Sequence, residues 1–446
     1  MKDLTLEECT VIVATTSSPA RYNPINHPES NQKRRLIVLK KMLDEGLISE
    51  AQYESASSED VYKRVQAANE EYSGNNSTFS YFTDAVYNEV MDALKNQLGY
   101  TDTQATNLLY SGGLRIYTTC DPRIQSIVEK EVNQEENYIA NGVNYLEYSL
   151  TYKLGVQLSN GDHYYYDENN VKRYFTEEMG QTGYNNTFAT KDSLNKACEQ
   201  YRDYILDLTK GEIISETITA TIEPQTSVVI MDQSTGHVLG VVGGRGNKKE
   251  MGSLVLNRAT QSTRQPGSTF KVLSAYAPAL DLKGATLATT YYDAELKVDG
   301  RVINNWWGPA YVGYANIRKA IMASMNVVAV KCLENTVSET LAYDYVKAFG
   351  ISTTVDSDKS PVFVLGGLTY GVTNLELTAA YAAIANQGLY KEPIFWTKIT
   401  DEFGNVILEN TQNSKTVIRK ETAQLLTSAM EESVTPSWMV FPSAGV

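Results

Sequence analysis

The chain has 446 residues, of which 42% are hydrophobic and 21% charged, and its formal net charge is −14. That is enough chain for two or three domains with real cores, and too apolar for a disordered protein. The acidic balance argues against a general nucleic-acid binder, whose affinity comes from basic residues facing phosphates.

Residues 1–60 read as helices. Thr5 is placed to N-cap the amphipathic "LEECTVIVATT", and the Pro- and Asn-rich "SPARYNPINHP" breaks that helix. "ESNQKRRLIVLKKMLDEGLISEAQYESA" then predicts two helices, with Gly46 closing the first and Ser49 opening the second. Residues 61–112 read as a linker, in which the polar "AANEEYSGNNSTFSYF" leads into the amphipathic "TDAVYNEVMDALKNQL". In residues 113–224, Leu114, Ile116 and Thr118 alternate as in a strand, and Asp121-Pro122 opens a helix. A Tyr-rich stretch follows, in a chain with 30 tyrosines. An ordinary β-rich insert is favoured there over a glycan-contacting surface. Residues 225–446 change character. "SVVIMDQSTGHVLGVV" predicts a buried hairpin, a long helical run follows, and "PIFWTKITDEFGNVILEN" predicts a second strand pair. Strands around a helical middle predict an α+β core domain.

Few classes of chemistry have residues to work with. Cys9, Cys120, Cys198 and Cys332 form no CxxC pair, so free thiols are expected. His27, His163 and His237 are too scattered for a metal site or a Ser-His-Asp triad. A nucleophile in this chain therefore needs a base other than histidine. "RQPGSTFKVLSAYAPAL" offers one, because Ser268 and Lys271 lie three positions apart at the start of an apolar run. On a helix that spacing puts both side chains on one face. A serine hydroxyl is a weak nucleophile until a base takes its proton. A lysine serves only when burial or nearby positive charge lowers its pKa. The competing reading has Ser268 capping the helix and Lys271 in solvent. Further on, "IMASMNVVAV" sets Ser324 and Asn326 as a Ser-x-Asn triplet in apolar surroundings. Buried polar groups there need partners, which a loop between two helices entering a shared cleft supplies. A plain helix cap in a loop stays open for this triplet.

SxxK followed by Ser-x-Asn is the pattern of penicillin-binding proteins and serine β-lactamases. The wider text resembles the bifunctional class A penicillin-binding proteins, notably "NRATQSTRQPGSTFK", "GLRIYTTCDPRIQ" and "VFVLGGLTYGVTNLELTAAYAAIANQGLYKEP". Residues 1–60, with Arg34 to Leu39, resemble the closing helices of that family's glycosyltransferase domain. The resemblance implies a multi-domain α+β protein: a helical glycosyltransferase remnant at 1–60, a helical linker at 61–112, a linker region with the Tyr-rich insert at 113–224, and a penicillin-binding transpeptidase domain at 225–446. Its sheet is expected to be mainly antiparallel, with the SxxK helix packed against it.

By the same resemblance Ser268 attacks a stem peptide's D-alanyl-D-alanine, Lys271 is the general base, Ser324 the proton shuttle and Asn326 a substrate contact. Peptidoglycan stem peptides, glycan strands and β-lactams are the expected partners, with no metal, cofactor or nucleic acid. The family works on the extracytoplasmic face of the bacterial membrane and carries a membrane anchor. No apolar run of transmembrane length (about 18 residues) and no signal-peptide layout occurs in this sequence. Two departures from the family shape the expectation. The Lys-Thr-Gly triplet that should follow "ETAQLLTSAMEESVTPSW" is absent, and "TKG" at Thr209 to Gly211 has the wrong order. The family's acidic glycosyltransferase segment and anchor would lie ahead of Met1. The chain is therefore expected to be truncated at both ends and impaired in transpeptidation. A non-catalytic β-lactam sensor, a scaffold and a serine β-lactamase are the alternatives. No glycosyltransferase residues are assigned, and Arg34 and Arg35 are expected to support the fold or to lie in a solvated basic turn.

Overall fold

The computed structural model describes residues 4–16, 22–25, 27–66, 80–140, 143–144, 146–248 and 254–434. The polar stretch expected at the start of the linker and the residues after Val434 lie mostly or wholly outside these. The chain divides into two compact units, residues 1–78 and 79–446.

The first unit is helical. Thr5 and Ser49 each form a capping box, with Glu8 and Gln52 respectively, at the starts of the Leu6–Thr15 and Glu50–Ser58 helices. Between them runs Pro28–Asp44, and Gly46 follows it in the left-handed region at φ +69°. Arg35 is not in a solvated turn. It is fully buried, and its two terminal nitrogens donate to Ala56 O and Glu59 O at 3.1–3.3 Å. A guanidinium has enough donors to collect the orphan carbonyls at a helix end, and here it ties Pro28–Asp44 to the end of Glu50–Ser58. Arg35 thus supports the fold.

The second unit is mixed α+β, and every strand ladder among the described residues is antiparallel. The expected hairpin forms as Val228–Met231 and Val238–Val242, turned at Gly236 with φ +77°. Arg115–Thr118 pairs with Trp396–Thr400, which pairs with Val406–Glu409. Thr119 joins the two sets of strands: its hydroxyl lies 2.7 Å from Val238 O and 3.0 Å from Ile394 O. The Tyr81–Leu98 helix covers this layer. Its Phe82, Val86, Val90 and Leu94 recur at helical spacing and join one apolar cluster with Val241, Phe395, Trp396 and Ile399.

The Tyr-rich region is a small layer with its own core. Glu147–Gln157 is paired on both sides, by His163–Asp167 and Glu212–Glu223, and the Lys191–Thr209 helix packs on one face through Leu194, Cys198, Tyr201 and Ile205. Its tyrosines are largely packing residues. Tyr152, Tyr174 and Tyr201 are buried, and the Tyr152 hydroxyl finds Glu216 at 2.9 Å. Among the described residues no helix is long and apolar enough to cross a membrane.

The largest core belongs to the helical part of residues 270–429. At its centre runs a helix that starts as a 3₁₀ turn at Gly267–Thr269, widens to a π turn at Val272–Tyr276 and continues as Ala277–Leu282. Pro278 explains the widening, because it has no N–H to close a regular turn onto Ser274. Residues Phe270 to Leu280 are buried on every side, so this helix is a core element rather than an amphipathic surface one.

A second segment clamps the front of this helix. Arg264 exchanges two backbone hydrogen bonds with Val372, each 2.9 Å, and the Gln265 amide grips the Leu368 N–H and C=O, each 2.7 Å. Gly366 closes the clamp: a Cβ there would lie 2.3–2.6 Å from the backbone of Gly267. Gly284 provides a control, since it also has positive φ, +68° against +79° for Gly366, but open space around its Cβ position. Gly284→Ala should lose only the backbone cost of a left-handed alanine, on the order of 1 kcal/mol. Gly366→Ala should lose clearly more, because two backbones must separate. Urea unfolding of both variants checks this, and equal losses would show that the contact does not constrain the turn.

Candidate active site

Ser268 follows Gly267, whose φ of +56° needs glycine; a Cβ at Gly267 would meet nothing, so conformation rather than crowding explains that residue. The Ser268 side chain is exposed and makes no hydrogen bond among the described residues, so it does not act as a helix cap. Three residues on, Lys271 is 2% exposed. The solvated-lysine reading therefore fails.

The Lys271 amine is received by the Ser-x-Asn turn. Ile317–Met322 and Asn326–Cys332 are two short helices, and Ala323 to Met325 connect them. Ser324 sits there in the left-handed region at φ +50°, unusual for a serine. Lys271 Nζ lies 2.7 Å from Ser324 O, 3.1 Å from Ser324 Oγ and 2.6 Å from Asn326 Oδ1. The Asn326 amide is oriented by its other end, since Nδ2 donates to Asn304 O at 2.7 Å. Lys271, Ser324 and Asn326 thus form one connected group. Among the described residues no hydrogen bond joins Ser268 to Lys271 directly.

Burial alone pulls the Lys271 amine down to about 7, and no charged group adds to the effect. At neutral pH a large fraction is unprotonated, in a chain where histidine plays no part in the site. The arrangement therefore holds an exposed primary alcohol one helical turn from an amine that can take up a proton near pH 7. Among the described residues no group of three His, Cys, Asp or Glu side chains is arranged to hold a metal ion.

Three features escaped the sequence reading: the π turn, the Leu368–Val372 clamp, and a buried Asp293–Asn305 pair behind the Ser-x-Asn turn. For the pair, the only signal was "NNWWG", where two amides precede two indoles.

The lysine's burial has a sign that stability measurements can read. In the unfolded chain it titrates near its ordinary value of 10.5, and in the fold near 7. Below about 7 both states hold the proton and the fold bears the full penalty; as pH rises from about 7 to about 10.5 the folded state has already released it and the penalty fades. The stability difference between Lys271→Met and the parent should therefore shift in favour of the parent across that window, by on the order of 5 kcal/mol in total. Urea titrations at a series of pH values check this, and a pH-independent difference would place the amine in water.

Comparison with known proteins shows what the chain is similar to. A family model described as the penicillin binding protein transpeptidase domain matches residues 226–438. Penicillin-binding protein 1A of Aquifex aeolicus (strain VF5) is 32% identical over 441 residues, covering 94% of this chain and 54% of that protein. Penicillin-binding protein 1A of Clostridium botulinum (strain Langeland / NCTC 10281 / Type F) is 29% identical over 455 residues, covering 98% of this chain and 45% of that one. The chain spans about half the length of the curated relatives it matches. The crystal structure of penicillin-binding protein 1A from Haemophilus influenzae shares the fold, with a TM-score of 0.53 at 20% identity over 97% of this chain and 68% of that one. Residues 226–438 are thus a penicillin-binding protein transpeptidase domain, in a chain homologous to penicillin-binding protein 1A over nearly its whole length.

Proposed function

We propose that the chain performs the acylation chemistry of a peptidoglycan D,D-transpeptidase, with Ser268 as nucleophile. The single observation that carries this is the buried Lys271 amine, one turn behind an exposed Ser268 and held by both polar residues of the Ser-x-Asn triplet. In the reaction Lys271 accepts the Ser268 proton as the hydroxyl oxygen bonds to the carbonyl carbon of D-alanyl-D-alanine. Collapse of the tetrahedral adduct breaks the peptide bond, and Ser324 passes the proton from Lys271 to the departing D-alanine amine. The amine of a neighbouring stem then attacks the acyl carbon; the new amide forms as the ester bond to Ser268 breaks, and the amine's proton returns through Lys271 to the Ser268 oxygen. Asn326 hydrogen-bonds the donor peptide's amide. β-Lactams enter by the same route, and their acyl-serine persists.

The same reading places the protein outside the cytoplasmic membrane, against peptidoglycan stems and glycan strands. It treats residues 1–60 as part of a glycosyltransferase domain, 61–112 as a linker and 113–224 as a linker region with its insert. The sequence holds no Lys-Thr-Gly triplet. In this family that element helps anchor the substrate carboxylate and completes the oxyanion hole. The alternative is a β-lactam sensor that is acylated but transfers nothing.

Labelling with a fluorescent penicillin tests the core of this. The parent should gain one adduct at Ser268, Ser268→Ala should gain none, and Lys271→Met should lose at least 10²-fold in rate. Undiminished labelling of Ser268→Ala would remove the proposal. A stable adduct without cross-linking of stem peptides selects the sensor, and rapid nitrocefin turnover selects a β-lactamase. The pH profile is a separate check. Only the unprotonated amine is a base, so the acylation rate should climb through about pH 7 and level off above it. A profile flat from pH 5 to 9 would exclude Lys271 as the base.

A further inference from the structure

The Ser-x-Asn turn raises a packing question of its own. Asn326–Cys332 begins with N–H groups that have no intrahelical partner, and its N-cap is Met325, which offers no side-chain acceptor. The turn ahead of it holds Ser324 in a left-handed conformation that costs free energy. Something outside the turn must satisfy the amides and hold the shape.

Residues 304–306 do so at three points. Asn304 O accepts from Asn326 Nδ2 at 2.7 Å. Asn305 Oδ1 accepts from the backbone N–H of Asn326 at 2.9 Å and of Val327 at 3.3 Å, replacing the cap that Met325 cannot be. Trp306 Nε1 donates to Ala323 O at 3.0 Å. The Asn305 amide is itself held. Its Nδ2 donates to both carboxylate oxygens of Asp293, at 3.0 and 3.2 Å, and Asp293 Oδ2 accepts the Val312 N–H at 2.9 Å. Both side chains are buried, Asp293 at 1% and Asn305 at 3% exposure. The carboxylate fixes which way the amide faces. A flipped amide would turn its NH₂ toward two N–H donors and its oxygen toward a carboxylate.

We infer that Asp293 and Asn305 are positioning residues of the acylation centre: the carboxylate orients the amide, the amide caps the helix after the Ser-x-Asn turn, and the turn thereby presents Ser324 and Asn326 to the Lys271 amine. This rests on the reading of Ser268 and Lys271 given above. Among the described residues no hydrogen bond joins either residue to Lys271. Their effect passes through Asn326, whose main chain Asn305 holds and whose side chain Lys271 meets. With the clasp released, the turn relaxes away from its left-handed serine, water reaches the amine, and the lysine moves back toward its ordinary ionisation. Among the described residues the amine's hydrogen-bond partners are Ser324 and Asn326, both neutral, and burial alone lowers its ionisation, so its hydration is the quantity the clasp controls.

The test uses the full chain, with Asn305→Ala and the isosteric Asp293→Asn, which keeps the cavity filled if the alanine variant does not fold. Acylation by fluorescent penicillin is followed as saturation kinetics across pH. The expected result for Asn305→Ala is a 10- to 100-fold lower limiting rate and a pH midpoint raised by about one unit or more. Asp293→Asn should move in the same direction by a smaller factor. A merely structural role predicts fewer reactive molecules with the parent's rate and midpoint, and that outcome overturns the inference. A second readout does not depend on acylation: the ¹³Cε resonance of Lys271 in lysine-labelled protein, assigned by its loss in Lys271→Met. If the parent is never acylated, the proposed function fails, yet a raised lysine midpoint in the two variants still supports the clasp and an unmoved one still overturns it.

Discussion

The burial of one amine governs this structure. An ammonium taken out of water is costly unless hydrogen bonds replace its hydration, and a lysine so placed gives up its proton more readily. Lys271 enters the interior on a helix buried on every side, so its partners must come from another part of the chain. All three belong to Ser324 and Asn326, more than fifty residues later. The helix and the turn therefore depend on each other. Without the turn the amine has no partners; without the amine, Ser324 O, Ser324 Oγ and Asn326 Oδ1 face one another around a void.

Serine and lysine are held by different means. The front of the helix is held at the backbone, through the Arg264–Val372 bridge, the Gln265 amide and the glycine-to-glycine contact of Gly267 with Gly366. The amine is held through side chains, by a turn whose own support comes from residues 304–306. Both supports end in a residue with positive φ, Gly267 on one side and Ser324 on the other. Backbones kept in such conformations mark places where the surroundings over-determine the shape. Here they bracket the alcohol and the amine.

Much of the secondary structure was legible because it rests on local chemistry. Thr5, Ser49 and Asp121 cap helices where their types and spacing said they would, and the hairpin around Gly236 follows from two apolar runs and a tight turn. The SxxK and Ser-x-Asn patterns brought the right residues to attention, and their separation along the sequence gave no measure of their contact. What stayed hidden was set by distant partners. Arg35 reads as part of a basic run, and only the carbonyls near Ala56 explain its burial. Asp293 and Asn305 carry no motif at all, since their role depends on two strands and a loop converging behind one turn. The Tyr-rich region shows the same limit. A β-rich insert was expected there, whereas its tyrosines face a core built by a helix that the composition did not announce.

Counting hydrogens shows why this lysine site tolerates a change of charge. A protonated amine has three N–H groups, and the turn presents three oxygens. An unprotonated amine has two N–H groups and one lone pair. The Ser324 carbonyl and the Asn326 amide oxygen can only accept, so they take the two N–H groups. The Ser324 hydroxyl can accept or donate, so it turns its own hydrogen to the lone pair. Both charge states therefore keep three partners without moving a heavy atom. A group that must take a proton and return it within one catalytic cycle benefits from such a setting, because little reorganisation accompanies either transfer. A threonine or serine at position 326 would break this economy, as its hydroxyl could turn and donate where the amide oxygen only accepts. The identity of Asn326 thus matters to the lysine as much as to any substrate. The Ser324 hydroxyl is the one partner free to change role, which is the property that the proposed shuttle requires.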